Sequence, residues 1–273
     1  MTVGRLVAII CIFGCVLVAW MILGTSINTR TITHIGPLGK EVEELWGREH
    51  LQAAPEVTLT TGANKSTRAE LDSSNILVKL NLQHRRKGLL WYATYGVAFD
   101  GRYTFQNTLS EPVTAKVTFT FPSQNTIYDD FDFRVGDLVA TPNGGTASEL
   151  ERNILLSPGQ KADIHIAYRS RGLDQWLYRF SDGITTVRNF SLAVNTDFAD
   201  YDFPARTISP STKERTASGW TLRWQFGNLV AGSDVGVRMP SRLNPGPLAS
   251  KMSYFAPVSL LFFFTVLVVL GAV

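Results

Sequence analysis

The sequence predicts a mainly β protein, an antiparallel β-sandwich region flanked by two transmembrane α-helices. Three observations carry that prediction. From Ile76 onward, apolar and polar residues alternate with period two in several short runs. Turn-forming clusters separate those runs, and each end of the chain holds a charge-free apolar stretch of bilayer length.

The chain has 273 residues with 26 Lys+Arg against 23 Asp+Glu, and 45% of its residues are hydrophobic. A net charge of +3 with no long basic tract argues against a nucleic-acid partner. With 18% charged and 11% aromatic residues, the composition excludes a disordered or collagen-like chain. The hydrophobic share is an average over unlike materials. Seventeen of the 19 residues from Leu6 to Gly24 are hydrophobic, as are 15 of the 19 from Phe255 to Val273. The rest of the chain is then roughly 39% hydrophobic, an ordinary soluble value.

Residues 1–24 read as an N-terminal transmembrane signal anchor. About 20 apolar residues cross the hydrocarbon core at 1.5 Å per residue. A cleaved signal peptide is the alternative, but the apolar run exceeds the usual length of such a core and no small-x-small site follows closely. Trp20 suits an interfacial belt near the far end of that stretch. Cys11 and Cys15 both lie inside it, so residues 25–253 hold no thiol.

Residues 25–75 read as a short helix and linker. Leu38, Val42, Leu45 and Trp46 share one helix face after Pro37. Thr58 to Asn75, rich in Thr, Ser, Asn and Gly, reads as an exposed loop. Alternation then marks strands at Leu77–Leu82, Val113–Phe121, Ile164–Tyr168 and Thr221–Phe226. Asp100-Gly101, Asn143-Gly144-Gly145, Ser157-Pro158-Gly159 and Ser218-Gly219 read as turns between them.

Tyr128–Phe133 aligns with Phe198–Phe203 at an offset of 70, and Thr146–Ser148 aligns with Thr216–Ser218 at the same offset. These matches suggest two tandem sandwich modules, 76–173 and 174–243; one large sandwich with coincidental motifs is the other reading. Residues 244–253, with Pro245 and Pro247, read as a stiff connector that is neither strand nor helix. Residues 254–273 read as a second transmembrane helix, with Pro257 in its first turn. Lys251 and Tyr254 sit at its membrane interface. The helix reaches Val273 with no polar cap, which suggests a chain that naturally continues into further membrane helices.

Chemistry-bearing clusters are few. Asp130 and Asp132, and their aligned counterparts Asp200 and Asp202, are weak metal-ligand candidates; a solvated strand face is the plainer reading, because neither motif has the glycine and spacing of a calcium loop. His84-Arg85-Arg86-Lys87-Gly88 reads as a solvated basic turn; the other reading is a contact for anionic lipid headgroups or an acidic partner. The four histidines show no metal spacing, and no Gly-x-Ser-x-Gly elbow, phosphate loop or dinucleotide fingerprint occurs. No catalytic residue and no cofactor is expected.

His84–Tyr92, Tyr128–Phe131, Leu243–Leu248 and Phe255–Phe263 together resemble the CreD-type inner-membrane proteins. The resemblance implies a bacterial inner-membrane location, a periplasmic central domain and a non-enzymatic role in cell-envelope integrity or stress. Its partners would be the lipid bilayer and other envelope proteins. It also implies further C-terminal membrane helices, which this sequence lacks. The competing function is a membrane-anchored sensory or ligand-binding module that relays a signal to a helix bundle. The amino terminus and Arg5 suit the cytoplasm, whereas Arg30, Lys40, Arg238, Arg242 and Lys251 oppose the positive-inside rule for an outward middle region. An outward middle region predicts that a reporter fused at Thr67 is active outside the cytoplasm; a cytoplasmic signal there would sink the topology.

Overall fold

A computed structural model of the protein describes residues 3–124, 126–136, 138–140, 148–181, 183 and 185–272. The first apolar stretch does not stop at Gly24. Helix α1 runs from Val3 to Trp46, and its part from Val3 to Thr31 is long and apolar enough to cross a membrane. The helix continues through residues 25–46, with Gly36, Pro37 and Gly39 inside it. Gly47, at a φ of +90°, ends it in the left-handed conformation that only glycine adopts freely. Its N–H bonds to the Glu43 carbonyl at 2.9 Å. Of the predicted apolar face, Val42 is buried but Leu45 is exposed. Helix α2 runs from Pro245 to Ala272, and its residues Pro245–Gly271 also meet the length and apolarity of a span.

The predicted connector is therefore, from Pro245 on, the first two and a half turns of α2. Pro245 and Pro247 are compatible with helix there because the first N–H groups of a helix have no internal partners. Pro257 falls in the helix interior instead of its first turn.

Among the described residues, fifteen strands lie between the helices: β1 (His50–Ala53), β2 (Glu56–Thr61), β3 (Ser66–Ala69), β4 (Leu71–Lys87), β5 (Leu90–Gln106), β6 (Val113–Thr120), β7 (Asp129–Val135), β8 (Leu138–Ala140), β9 (Glu149–Leu156), β10 (Lys161–Leu173), β11 (Gln175–Arg179), β12 (Thr185–Thr196), β13 (Thr212–Arg215), β14 (Trp220–Ala231) and β15 (Val235–Arg238). They form three sheets, ordered β1-β11-β15, β13-β14-β12-β4-β5-β10-β7-β8 and β3-β2-β6-β9. Most pairings are antiparallel, as the alternation implied. Two are parallel, β1 with β11 and β12 with β4.

The predicted linker is β structure. In β2, Val57, Leu59 and Thr61 are buried on one face while threonines occupy the other, a pattern that favours strand. Asn64, at a φ of 61°, turns β2 back into β3. Asp100-Gly101 is not a turn but the middle of β5. A Cβ on Gly101 would lie 2.8–2.9 Å from the rings of Phe99 and Tyr103, so glycine answers to packing there. Ser157–Gly159 and Ser218-Gly219 do turn the chain, between β9 and β10 and between β13 and β14. The Asn143–Gly145 turn lies outside the described residues, as do Thr146 and Ala147 of the proposed repeat.

By internal packing the chain forms two units. One comprises Met1–Glu41, Arg86–Trp91 and Arg242–Val273; the other comprises Val42–Arg85 and Tyr92–Ser241. The second contains strands from both predicted tandem modules, and the eight-stranded sheet joins them through the β4–β12 pair. The aligned motifs also differ in structure: Asp129–Phe133 belongs to β7, whereas Phe198–Phe203 lies outside the strands, with Asp202 alone bridging to Arg238. The division at residue 173 therefore does not separate two sandwiches.

One hydrophobic core takes side chains from all three sheets. Phe119 of β6 packs on Phe133 of β7 and Tyr168 of β10, with ring centroids 5.9 and 6.5 Å away, which is sheet facing sheet. Tyr178 of β11 lies 5.7 Å from Phe190 of β12 and brings the small sheet onto the same core. Among the sheet edges, all four residues of β13 are exposed and three of them are charged, and β9 alternates exposed Glu149, Glu151, Asn153 and Leu155 with less accessible neighbours.

Trp176 and Trp224 are both fully buried, yet they differ in one bond. Trp224 donates its indole N–H to the Ile208 carbonyl at 2.8 Å, while the Trp176 N–H has no partner among the described residues. Phenylalanine removes similar volume at each site but strands a carbonyl only at 224. Trp224→Phe should therefore cost about 1–3 kcal/mol more than Trp176→Phe in denaturant unfolding of the solubilised chain. Equal costs would show that the bond contributes nothing.

Candidate functional site

The β unit carries a groove of about 850 Å³, within the range typical of ligand sites. Its parts come from distant stretches of chain. Gly47 ends α1 where it does and so fixes Trp46 as one wall. A Cβ at Gly47 would lie 2.3 Å from the Arg171 carbonyl oxygen, so no other residue lets helix and strand β10 approach this closely. Gly96 and Ala98 of β5, having little or no side chain, leave the concavity open.

Charge is mixed around it. The guanidinium of Arg85 stands 4.1 Å from the centre of the Trp46 ring and that of Arg171 stands 5.4 Å away, both in cation–π range. Glu44, Asp129 and Asp197 supply carboxylates, and Arg169 a further cation. Asp197 is held in place by the Leu82 N–H at 2.8 Å and the Asn81 amide at 3.2 Å. Indole, guanidinium and carboxylate groups on one concave surface suit a small ligand bearing both charges.

Beneath the groove, Ser170 of β10 connects to a buried polar chain. Its Oγ lies 3.3 Å from His50 Nε2, and His50 Nδ1 lies 3.0 Å from the Tyr95 hydroxyl. The Ser170 hydroxyl donates to the Ile127 carbonyl at 2.9 Å, and the Tyr95 hydroxyl donates to the Gln175 carbonyl at 2.7 Å. This serine–histidine pair superficially resembles a nucleophile and its base. Its details differ: the serine proton already serves a carbonyl, and the histidine is oriented by a phenol instead of a carboxylate. Burial pushes the His50 imidazole down to about 4, so it is neutral at neutral pH. Burial likewise raises Tyr95 well above the ordinary phenol value. Gly172 makes room for the pair, since a Cβ there would lie 2.3 Å from His50 Nδ1.

The sequence-predicted candidates lie elsewhere. Asp130 pairs with Arg169, and Asp132 pairs with Arg134 at 2.8 Å and with His165 Nδ1 at 3.2 Å. A register shift in β10 between Ala167 and Arg169 accompanies the positive φ of 50° at Asp130. Asp202 receives the Phe203 N–H at 2.8 Å, and Asp200 is exposed beyond any strand. Among the described residues, no three metal-binding side chains converge. Trp20 lies within the span, about 16 Å along α1 from Thr31. Tyr254 contacts Thr25 through hydroxyls 3.1 Å apart, and Lys251 is exposed on α2. The groove residues escaped sequence reasoning because they lie on six separate segments. The one local signal was Trp46-Gly47, an aromatic followed by a glycine helix stop.

No protein-family model and no curated protein matches the chain. Among solved structures, a crystal structure from Legionella pneumophila, of a protein provisionally assigned as a nutrient binding protein, aligns with 70% of this chain and 71% of its own. The TM-score is 0.50 and the identity 13%, so the likeness is one of fold. The chain is thus of the mainly β class, with two terminal helices apolar and long enough to cross a membrane.

The depressed His50 pKa has a definite consequence for stability. The unfolded chain takes up a proton below the ordinary value of 6.5 and the folded one only below about 4. Stability from this group is thus complete above pH 6.5 and lost as pH falls from 6.5 towards 4, by about 3 kcal/mol in all. His50→Gln should remove that component and flatten the acid limb of an unfolding-versus-pH curve. An unchanged slope in the variant would show that His50 does not hold its neutral form in the fold.

Proposed function

We propose that the chain is a membrane-anchored, non-enzymatic binding module of the bacterial envelope, which holds a small zwitterionic ligand in the Trp46 groove. The groove carries this reading: it is of ligand size, it is walled by an aromatic ring, and it presents both charges from fixed positions. The two apolar helices anchor the module in the inner membrane, and the β unit works in the periplasm. The Legionella structure, assigned as nutrient-binding, supports the reading through the shared fold. The serine–histidine pair supports the non-enzymatic part of the reading, because its serine proton is engaged by a carbonyl and its histidine faces a phenol.

A second reading assigns the chain to the CreD-type proteins, with a role in envelope integrity or stress. It rests on the motifs at 84–92, 128–131, 243–248 and 255–263. The two readings are compatible, because a bound envelope metabolite is one way such a protein could sense stress.

The test uses the full chain in detergent with a panel of free amino acids and dipeptides, followed by thermal unfolding and tryptophan fluorescence. At least one compound should raise the midpoint by several degrees, an effect expected when ligand exceeds its dissociation constant about 100-fold. Trp46→Ala should abolish that shift while leaving the unliganded midpoint near its original value. A panel without any shift, or a shift that survives Trp46→Ala, would overturn the assignment of the groove.

A further inference from the structure

The helical unit contains more than two helices. Its middle piece, Arg86–Trp91, is the tip of the β4–β5 hairpin. Contacts between the helices fix an antiparallel register. Thr31 abuts Gly246, where a Cβ would meet its Oγ1 at 2.6 Å; Gly24 accepts a bond from Ser250 at 3.3 Å; Phe13 stacks edge-on with Phe264 at 5.5 Å. The end of the first apolar span and the start of the second therefore lie at one level, where a bilayer's hydrocarbon would give way to headgroups.

The hairpin tip belongs to that level. The Trp91 N–H bonds to Asn244 Oδ1 at 2.7 Å, one residue before α2 begins. Gly88, at a φ of +59°, makes the turn. Two apolar side chains stand unpartnered beside it, Leu89 at 76% and Leu243 at 83% exposure. Arg242 lies 4.5 Å and Arg86 5.8 Å from the centre of the Trp91 ring. An indole with two guanidinium groups and adjacent exposed leucines has the composition of an interfacial anchor.

Charge is one-sided in this unit. Arg30, Lys40, Arg86, Lys87, Arg242 and Lys251 cluster towards this level by sequence position, and the only acidic residue of the unit is Glu41. That carboxylate is engaged by Lys87 at 2.5 Å, which leaves the arginines uncompensated. Such an excess beside a bilayer attracts anionic headgroups.

We propose that the hairpin tip 86–91, with Arg242 and Leu243, is a docking surface for anionic phospholipid: Leu89 and Leu243 enter the upper acyl region while Arg86 and Arg242 hold headgroup phosphates. The proposal rests on the membrane-anchoring part of the functional reading. It explains an exposed leucine at the apex of a basic turn, a placement that water alone would not favour.

The test places the full chain, with Cys11→Ser and Cys15→Ser, in nanodiscs of phosphatidylcholine with or without phosphatidylglycerol. An environment-sensitive fluorophore is attached through Leu89→Cys, and quenching by a lipid carrying a doxyl group high on its acyl chain is measured. Quenching at 89 should rise about twofold with phosphatidylglycerol, and the rise should vanish in Arg86→Gln/Arg242→Gln. Leu267→Cys, within α2, should be quenched in both compositions by a deeper doxyl lipid. Quenching at 267 without quenching at 89 would overturn the docking surface alone, whereas its absence at 267 would overturn the membrane anchoring and the surface with it. Equal quenching at 89 in both compositions, or a response reproduced in phosphatidylcholine by inorganic phosphate, would also overturn the headgroup assignment.

Discussion

The β unit depends on the parallel pairing of β4 with β12. In that register Ile76, Val78 and Leu80 lie beside Leu192, Val194 and Thr196, and the apolar members are buried in the shared core. A parallel pair cannot be closed by a tight turn and needs a long crossover. Here the crossover is 97 residues, 88–184, and contains β5 to β11. The pair joins the two halves of the sequence in one sheet, and the sandwich faces follow from it. It also carries Asp197, just beyond the end of β12, to Asn81 and Leu82 of β4, which supplies one side of the groove.

The groove and the buried histidine are two results of the same packing. Gly47 and Gly172 let α1, β5 and β10 approach closely, and the space that remains is polar at its base and aromatic at its wall. His50 stands there between the Ser170 and Tyr95 hydroxyls, each of which also lies within hydrogen-bond distance of a carbonyl. The arrangement orders the backbone around the groove at the expense of a protonatable group kept neutral. Rigid surroundings of this kind lower the ordering required of a ligand on binding.

Much of the fold was legible in local pattern. The alternating runs at Leu77–Leu82, Val113–Phe121, Ile164–Tyr168 and Thr221–Phe226 fall in β4, β6, β10 and β14. Period two survives in sequence because one face of each strand is buried and the other is wetted. The linker misled because Thr and Ser serve loops and solvent-facing strand positions alike, as in β2 and β3. Asp100-Gly101 misled because a glycine that admits two aromatic rings is written the same way as one that turns a hairpin. Pro245 and Pro247 misled because proline breaks a helix interior but opens a helix well. The groove was not legible: Trp46, Asn81, Ser170 and Asp197 are brought together by long-range pairing that no window of sequence contains.

The open sheet edges carry a further consequence. A protein held in a bilayer, as proposed above, would meet its own copies far more often than one free in solution, and each unpaired strand would then invite a continuous sheet across molecules. The exposed Lys213, Glu214 and Arg215 of β13 would set charges against a joining backbone, and Glu149 and Glu151 do the same along β9. These short runs of charge therefore allow crowding without polymerisation.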